Sequence, residues 1–310
     1  MLRLRLTIFT LFILINSFGQ KTEKVFLDKN DHSKNCYTII YPSKLPWTGY
    51  IFIIPGFGET AERVLEQTDL PILTAKSGLL TIIPTFQDGV LSFGIDNLSQ
   101  QSFNNILTDV REKNKLTDHN YYVGGFSIGG STAIKFAETA IIKPTSVFAI
   151  DPPLDLERYY NSSKREIRLS INKSPDEERV YFIERLEKEM GGSPETALKN
   201  YYNTSPYSFS DTTQTAIKNI VKLPLRIYSE PDINWWLKEN AEDFTGMNVT
   251  ECSAMINELN RLGNTKAELI ITQNKGFRKP DNTKNPHSWS IVDNNELIKW
   301  LLEQKIRSAP

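Results

Sequence analysis

The residue types in this chain that could jointly attack an electrophile and move a proton are one serine set among glycines, three histidines and a few late carboxylates. The serine is Ser127, in Gly125-Phe126-Ser127-Ile128-Gly129, which fits the pattern G-x-S-x-G. A serine hydroxyl is a weak nucleophile until a base takes its proton, so the chemistry on offer is base-assisted nucleophilic attack. The spacing first concerns geometry. "NYYVGGF" before the serine reads as a buried strand, and Ala133, Phe136, Ala137 and Ala140 after it mark one stripe of a helix. A strand that turns at once into a helix holds the serine in a strained conformation at the carboxyl edge of a sheet. Small neighbours let the turn close, and the helix N-terminus behind it favours developing negative charge. Without that context, the same five residues are only a glycine-rich helix start.

The base has to be a histidine. His32 lies in the polar stretch "DKNDHSKN". His119 precedes the serine's strand and is expected at its far end, away from Ser127. His287 stands in "NTKNPHSWSIVDNNELIKWLL", between the last predicted strand and the closing helix.

The elements that must position these groups alternate. "KVFL", "CYTIIY", "GYIFII", "LLTIIP", "NYYVGGF", "TSVFAID", "LPLRIYS" and "AELIIT" read as strands. Leu98, Phe103, Ile106, Leu107 and Val110 mark a helix between two of them, and Leu297, Ile298, Leu301 and Leu302 mark the closing one. Such alternation predicts an α/β fold with a mostly parallel sheet covered on both faces. It is interrupted between Asp151 and Pro224. There Ser174-Pro175, closing on Gly191-Gly192, and then Ser193-Pro194-Glu195 carry helix caps, so residues 152–220 read as a helical insertion.

With G-x-S-x-G in that setting, the chain resembles the α/β-hydrolase family, its serine esterases and lipases in particular, over nearly all of residues 35–305. The resemblance implies a twisted, mostly parallel sheet of about eight strands with helices on both faces. It makes residues 152–220 a lid on a single domain, 20–310. It also implies a chain order of nucleophile, acid and histidine, with the acid after a late strand. In "LPLRIYSEPDINWW" that position falls on Asp232, and Glu230 competes from two residues earlier. The loop before the closing helix is where the family keeps its base, which selects His287. The oxyanion donors would be the backbone N–H of Ile128 and that of Phe57, in the loop "IFIIPGFGET". Here the sequence departs from the commonest form of the family: Pro55 replaces the histidine usual before that glycine, so the hydrogen bonds that support the loop are in question. Glu59 is a candidate to meet a cationic or hydroxylated substrate group, or else to favour a helix N-terminus. Trp235 and Trp236 are candidates to wall the pocket or to pack beneath the acid's loop.

Other signals bound the reading. Lysine plus arginine, at 36, nearly cancel aspartate plus glutamate, at 37, so no field of one sign points to nucleic acid. Arg3 and Arg5 precede an uncharged apolar run from Leu6 to Ile15, and Ser17-Phe18-Gly19 follows. This predicts a cleaved signal peptide, 1–19, and a secreted or periplasmic protein with no stable membrane association afterwards. Gly56 to Ala61 mimics a dinucleotide fingerprint, but "LLTIIPTF" lacks the acid that would hold a ribose. Neither calcium-loop nor zinc spacings occur. Lys275, Arg278, Lys279 and Lys284 make a basic approach to His287 that either steers an acidic substrate or is a solvated loop. Cys36 and Cys252 are expected to lie too far apart in such a sheet to bridge.

The expected protein is therefore an exported serine hydrolase. It acts on carboxylic esters of a small-molecule or acylated substrate through an acyl-enzyme, without metal or organic cofactor. A peptidase or amidase on the same fold, or a binding protein with a decayed site, are the rival readings.

Overall fold

Short runs rich in β-branched and aromatic residues form the central sheet of the computed structural model, which describes residues 20–28, 30–43, 45–117, 120–169 and 177–304. The expected signal sequence, His119 and the Ser174-Pro175 helix start lie outside the described residues. The strands are β1 (Thr22–Phe26), β2 (Cys36–Ile40), β3 (Gly49–Ile54), β4 (Leu79–Thr85), β5 (Tyr121–Phe126), β6 (Ser146–Ile150), β7 (Leu225–Ser229) and β8 (Ala267–Ile271). A small separate hairpin joins β9 (Phe277–Arg278) to β10 (Thr283–Lys284). The helices are α1 (Ala61–Gln67), α2 (Leu70–Lys76), α3 (Asn97–Asn114), α4 (Ile128–Thr139), α5 (Leu156–Leu169), α6 (Glu177–Met190), α7 (Pro194–Thr204), α8 (Thr215–Lys218), α9 (Ile233–Glu239), α10 (Val249–Arg261) and α11 (Asn294–Glu303).

The sheet runs β1-β2-β4-β3-β5-β6-β7-β8. β2 is antiparallel to β1 and β4, and every later pairing is parallel. β5 and β6 are buried along their whole length, and β3 from Tyr50 onward, because helices cover both faces, so they read as continuous apolar runs. The pleat still sorts their side chains. Tyr50, Phe52 and Ile54 enter one core with Phe103, Ile106, Phe136 and Met255 of α3, α4 and α10. Ile51 and Ile53 enter the other, with Val64, Leu70, Leu297 and Leu301 of α1, α2 and α11. At the edge, β1 exposes Glu23 and Lys24, and charge there discourages pairing with another sheet. Cys36 on β2 and Cys252 on α10 are free, buried thiols.

Two features of this topology place the site. From β3 the chain crosses to β4 on one side and later returns to β5 on the other, so the loops leaving β3 and β5 diverge at a crevice. In open α/β sheets ligands bind there, beyond the carboxyl ends of the strands. Between β6 and β7 the chain runs through α5 to α8. A third apolar cluster, with Phe93, Ile128, Leu156, Phe182 and Leu186, joins this helical segment to the crevice. Ser193 precedes α7 with Pro194 at its first turn, while Gly191 and Gly192 follow α6 at positive φ.

Candidate active site

Ser127 leaves β5 with φ +54° and ψ −127°, outside the regions open to ordinary side chains. The turn survives because its flanks lack side chains. A Cβ on Gly129 would sit 2.3 Å from the Ile54 carbonyl oxygen and 2.4 Å from that of Pro55. One on Gly125 would lie 2.5 Å from the Ile54 oxygen. The glycines thus let α4 start directly against the end of β3. The Ser127 N–H donates to the Ile150 carbonyl at 2.8 Å, which ties the turn to β6.

His287 Nε2 lies 3.0 Å from Ser127 Oγ. Its Nδ1 lies 2.7 Å from Oδ2 of Asp151, not of Asp232. The reason is register. Phe126 at the end of β5 pairs with Ile150 at the end of β6, so Ser127 and Asp151 leave adjacent parallel strands side by side. Asp151 has φ +46°, its N–H donates to the Tyr228 carbonyl at 2.8 Å, and its Oδ1 accepts from Ser229 Oγ at 2.7 Å. It is buried, so its orientation is set on three sides.

The expected acids are occupied elsewhere. Asp232 lies beyond the end of β7, where it caps α9 by accepting from the Trp235 N–H and pairs with Lys284. That ion pair holds its carboxyl below the usual range. Glu230 is buried and accepts from Thr272 Oγ1 at 3.1 Å and from the N–H groups of Lys275 and Gly276 at 2.9 and 3.1 Å. It therefore pins the start of the loop that brings His287 back to the sheet. Asn285 continues that support by accepting from the His287 N–H at 2.9 Å, and the Phe126 ring packs on the imidazole at 4.6 Å. Glu230→Gln replaces one acceptor with a donor facing backbone N–H groups. It is expected to cost about 2 kcal/mol of stability and roughly tenfold in any activity that uses His287. Urea denaturation and a rate assay on one preparation check both.

Glu59 is also used inside the fold rather than at a substrate. Its Oε2 accepts from the Gly56 N–H and from Trp289 Nε1, both at 3.0 Å. With the Gly58 N–H donating to Val90, it fixes the Pro55–Gly58 loop without the histidine that Pro55 replaces. It also ties that loop to the residues just after His287. Among the described residues, the N–H groups of Phe57 and Ile128 donate to nothing, and both residues line the cavity above Ser127. Ile128 opens α4, so its N–H belongs to the unpaired first turn of a helix.

The cavity is about 310 Å³. One wall is apolar, with Phe57, Phe93, Leu156 and Phe182, and the Phe182 ring lies 4.7 Å from that of Phe57. Trp235, Trp236, Asn248, Arg278 and Asn285 also line the cavity. The structure thus brings together Ser127, His287, Phe57, Ile128 and the two tryptophans, but not Asp232 or Glu59; Glu230 also lines the cavity, with its carboxylate engaged by Thr272, Lys275 and Gly276. Asp151 and Ser229 were missed in the sequence. The available signal for Asp151 was a carboxylate directly after "TSVFAI", the strand that follows the nucleophile's helix.

No protein-family model matches the sequence, and no curated protein matches it significantly. Solved structures do. S-formylglutathione hydrolase from Agrobacterium tumefaciens aligns at TM-score 0.55 and 14% identity, over 87% of this chain and 90% of that one. FphF, a fluorophosphonate-binding serine hydrolase of Staphylococcus aureus, aligns at 0.52 and 13%, over 91% and 98%. Acylaminoacyl peptidase from Pyrococcus horikoshii aligns at 0.56 and 14%, over 88% of this chain but only 40% of the peptidase. At these identities the likeness is one of fold.

Proposed function

We propose that this chain, whose fold is that of the α/β-hydrolases, is a serine hydrolase acting on carboxylic esters. The observation that carries the reading is the hydrogen-bonded line from Ser127 through His287 to Asp151, at 3.0 and 2.7 Å. In it, Ser127 Oγ attacks the acyl carbon while His287 Nε2 takes the hydroxyl proton. Asp151 holds the imidazole in the tautomer that leaves Nε2 free, and stabilises the imidazolium. The Phe57 and Ile128 N–H groups receive the negative oxygen of the tetrahedral intermediate. His287 then protonates the departing alcohol, and water activated by the same nitrogen releases the acid and restores Ser127. The helices α5 to α8 act as a lid, and their aromatic wall selects the apolar part of the substrate.

The test is labelling by a fluorophosphonate, with the adduct mapped by mass spectrometry. Wild-type protein is expected to label at Ser127, and His287→Ala at least about a hundredfold more slowly. Folded wild-type protein that does not label would remove the hydrolase reading in favour of a binding protein on this fold. Turnover of matched ester and amide substrates then separates an esterase from an amidase.

A further inference from the structure

Most charged groups that line the cavity are committed to partners. Arg179 pairs with Glu166 and Glu242, Glu230 holds three donors, and Asp151 holds Ser229 and His287. Arg278 differs. It is solvent-exposed, and among the described residues it has no carboxylate within ion-pair distance. Arg158, Arg179 and Arg185 all have their pKa held above the ordinary value by carboxylates they contact.

The guanidinium is nevertheless held in place. Its Nε and Nη2 donate to the His287 carbonyl at 3.2 and 3.0 Å, which leaves Nη1 without a partner among the described residues. A second donor stands beside it. Asn285 Oδ1 is taken by the His287 N–H, which fixes the amide's orientation and leaves Nδ2 likewise without a partner. The hairpin puts both residues on one face. Arg278 pairs with Thr283, and the ladder continues through the Asn285 N–H to the Gly276 carbonyl at 2.9 Å. Alternation therefore places Arg278, Thr283 and Asn285 together, with Phe277 and Lys284 on the opposite face, where Lys284 meets Asp232. Arg278 and Asn285 both line the cavity that holds Ser127.

We propose that Arg278 and Asn285 form a carboxylate-binding subsite beside His287, so that the substrates are esters bearing a free carboxylate. A guanidinium and a neutral N–H₂ offer a carboxylate one charge-assisted and one ordinary hydrogen bond. This rests on the hydrolase reading above and specifies its substrate class.

Two matched substrate pairs test it. 4-Nitrophenyl hydrogen glutarate against its methyl ester puts the carboxylate on the acyl side. 4-Acetoxybenzoate against its methyl ester puts it on the leaving group. In at least one pair, wild-type kcat/KM is expected to favour the free carboxylate by about tenfold or more. Arg278→Gln is expected to remove that preference, mainly by raising KM for the anionic ester, and Arg278→Lys to restore part of it. No preference in either pair would overturn the subsite. So would an Arg278→Gln variant that loses both esters of a pair in equal proportion, since Arg278 would then only position His287. Fluorophosphonate labelling of the same wild-type preparation separates the two failures. Labelled protein without carboxylate preference overturns the subsite alone, and unlabelled protein overturns the hydrolase reading with it.

Discussion

Asp151→Asn is expected to lower kcat/KM for an activated ester by about 10³- to 10⁴-fold, while Asp232→Asn leaves it within about threefold. The two carboxylates are chemically equal, so the difference must come from placement. Asp151 lies 2.7 Å from His287 Nδ1 and is oriented by Ser229 and by the Tyr228 carbonyl. An amide there can turn its N–H₂ toward Nδ1, which stabilises the tautomer whose Nε2 carries the proton and cannot accept one from Ser127. Asp232 caps a short helix and pairs with Lys284 on the outer side of the hairpin. Its loss costs about 1 kcal/mol of local stability and leaves the line through His287 intact. Steady-state kinetics on both variants, with fluorophosphonate labelling beside them, decide the matter. A large loss in Asp232→Asn with Asp151→Asn near wild type would reverse the assignment.

Gly129→Ala is expected to destabilise the protein by about 3 kcal/mol and to abolish labelling of Ser127. The new methyl would meet the carbonyl oxygens of Ile54 and Pro55 at 2.3 and 2.4 Å. Both are backbone atoms of the central strand and its outgoing loop, so neither can swing aside. Relief requires α4 to move away from β3, which separates the Phe57 and Ile128 N–H groups that must converge on one oxygen. Gly191→Ala is the control. Unlike the helical Gly129 it has a positive φ, +79°, but open space around it, so only the backbone penalty of about 1 kcal/mol applies. Urea denaturation midpoints with labelling rates report both effects. A Gly129→Ala protein of wild-type stability and labelling would show that this close approach has no role.

The contrast between these positions explains what was legible in the sequence. Gly125, Ser127 and Gly129 declare themselves because their spacing marks a strand that turns at once into a helix, although the backbone that demands the glycines is that of Ile54 and Pro55 in and after β3. His287 was legible because the chain has few histidines and only one between the last strand and the closing helix. Asp232 looks suited to the imidazole in sequence, yet the structure pairs it with Lys284. Both it and Asp151 follow buried strands, and a chain order of serine, acid, histidine accepts either one. The carboxylate that reaches the imidazole depends on how β5 and β6 are paired and on Asp232 being used to start α9. Neither is a property of the residues near it in sequence.

Glu59 and Glu230 show the same limit. Each looked like a group available to substrate or histidine, and each is instead consumed by backbone N–H groups of a loop distant in sequence or by a tryptophan 230 residues later. Periodicity and glycine spacing dictate the alternation of elements, hence the mostly parallel sheet, and the strand-turn-helix that carries Ser127. Tertiary pairing sets which carboxylate faces His287, what supports the loop after Pro55 and, among the described residues, which cavity arginine has no ion-pair partner. Those outcomes depend on distances between segments far apart in the chain, and a hydrogen bond forms or fails over a few tenths of an ångström.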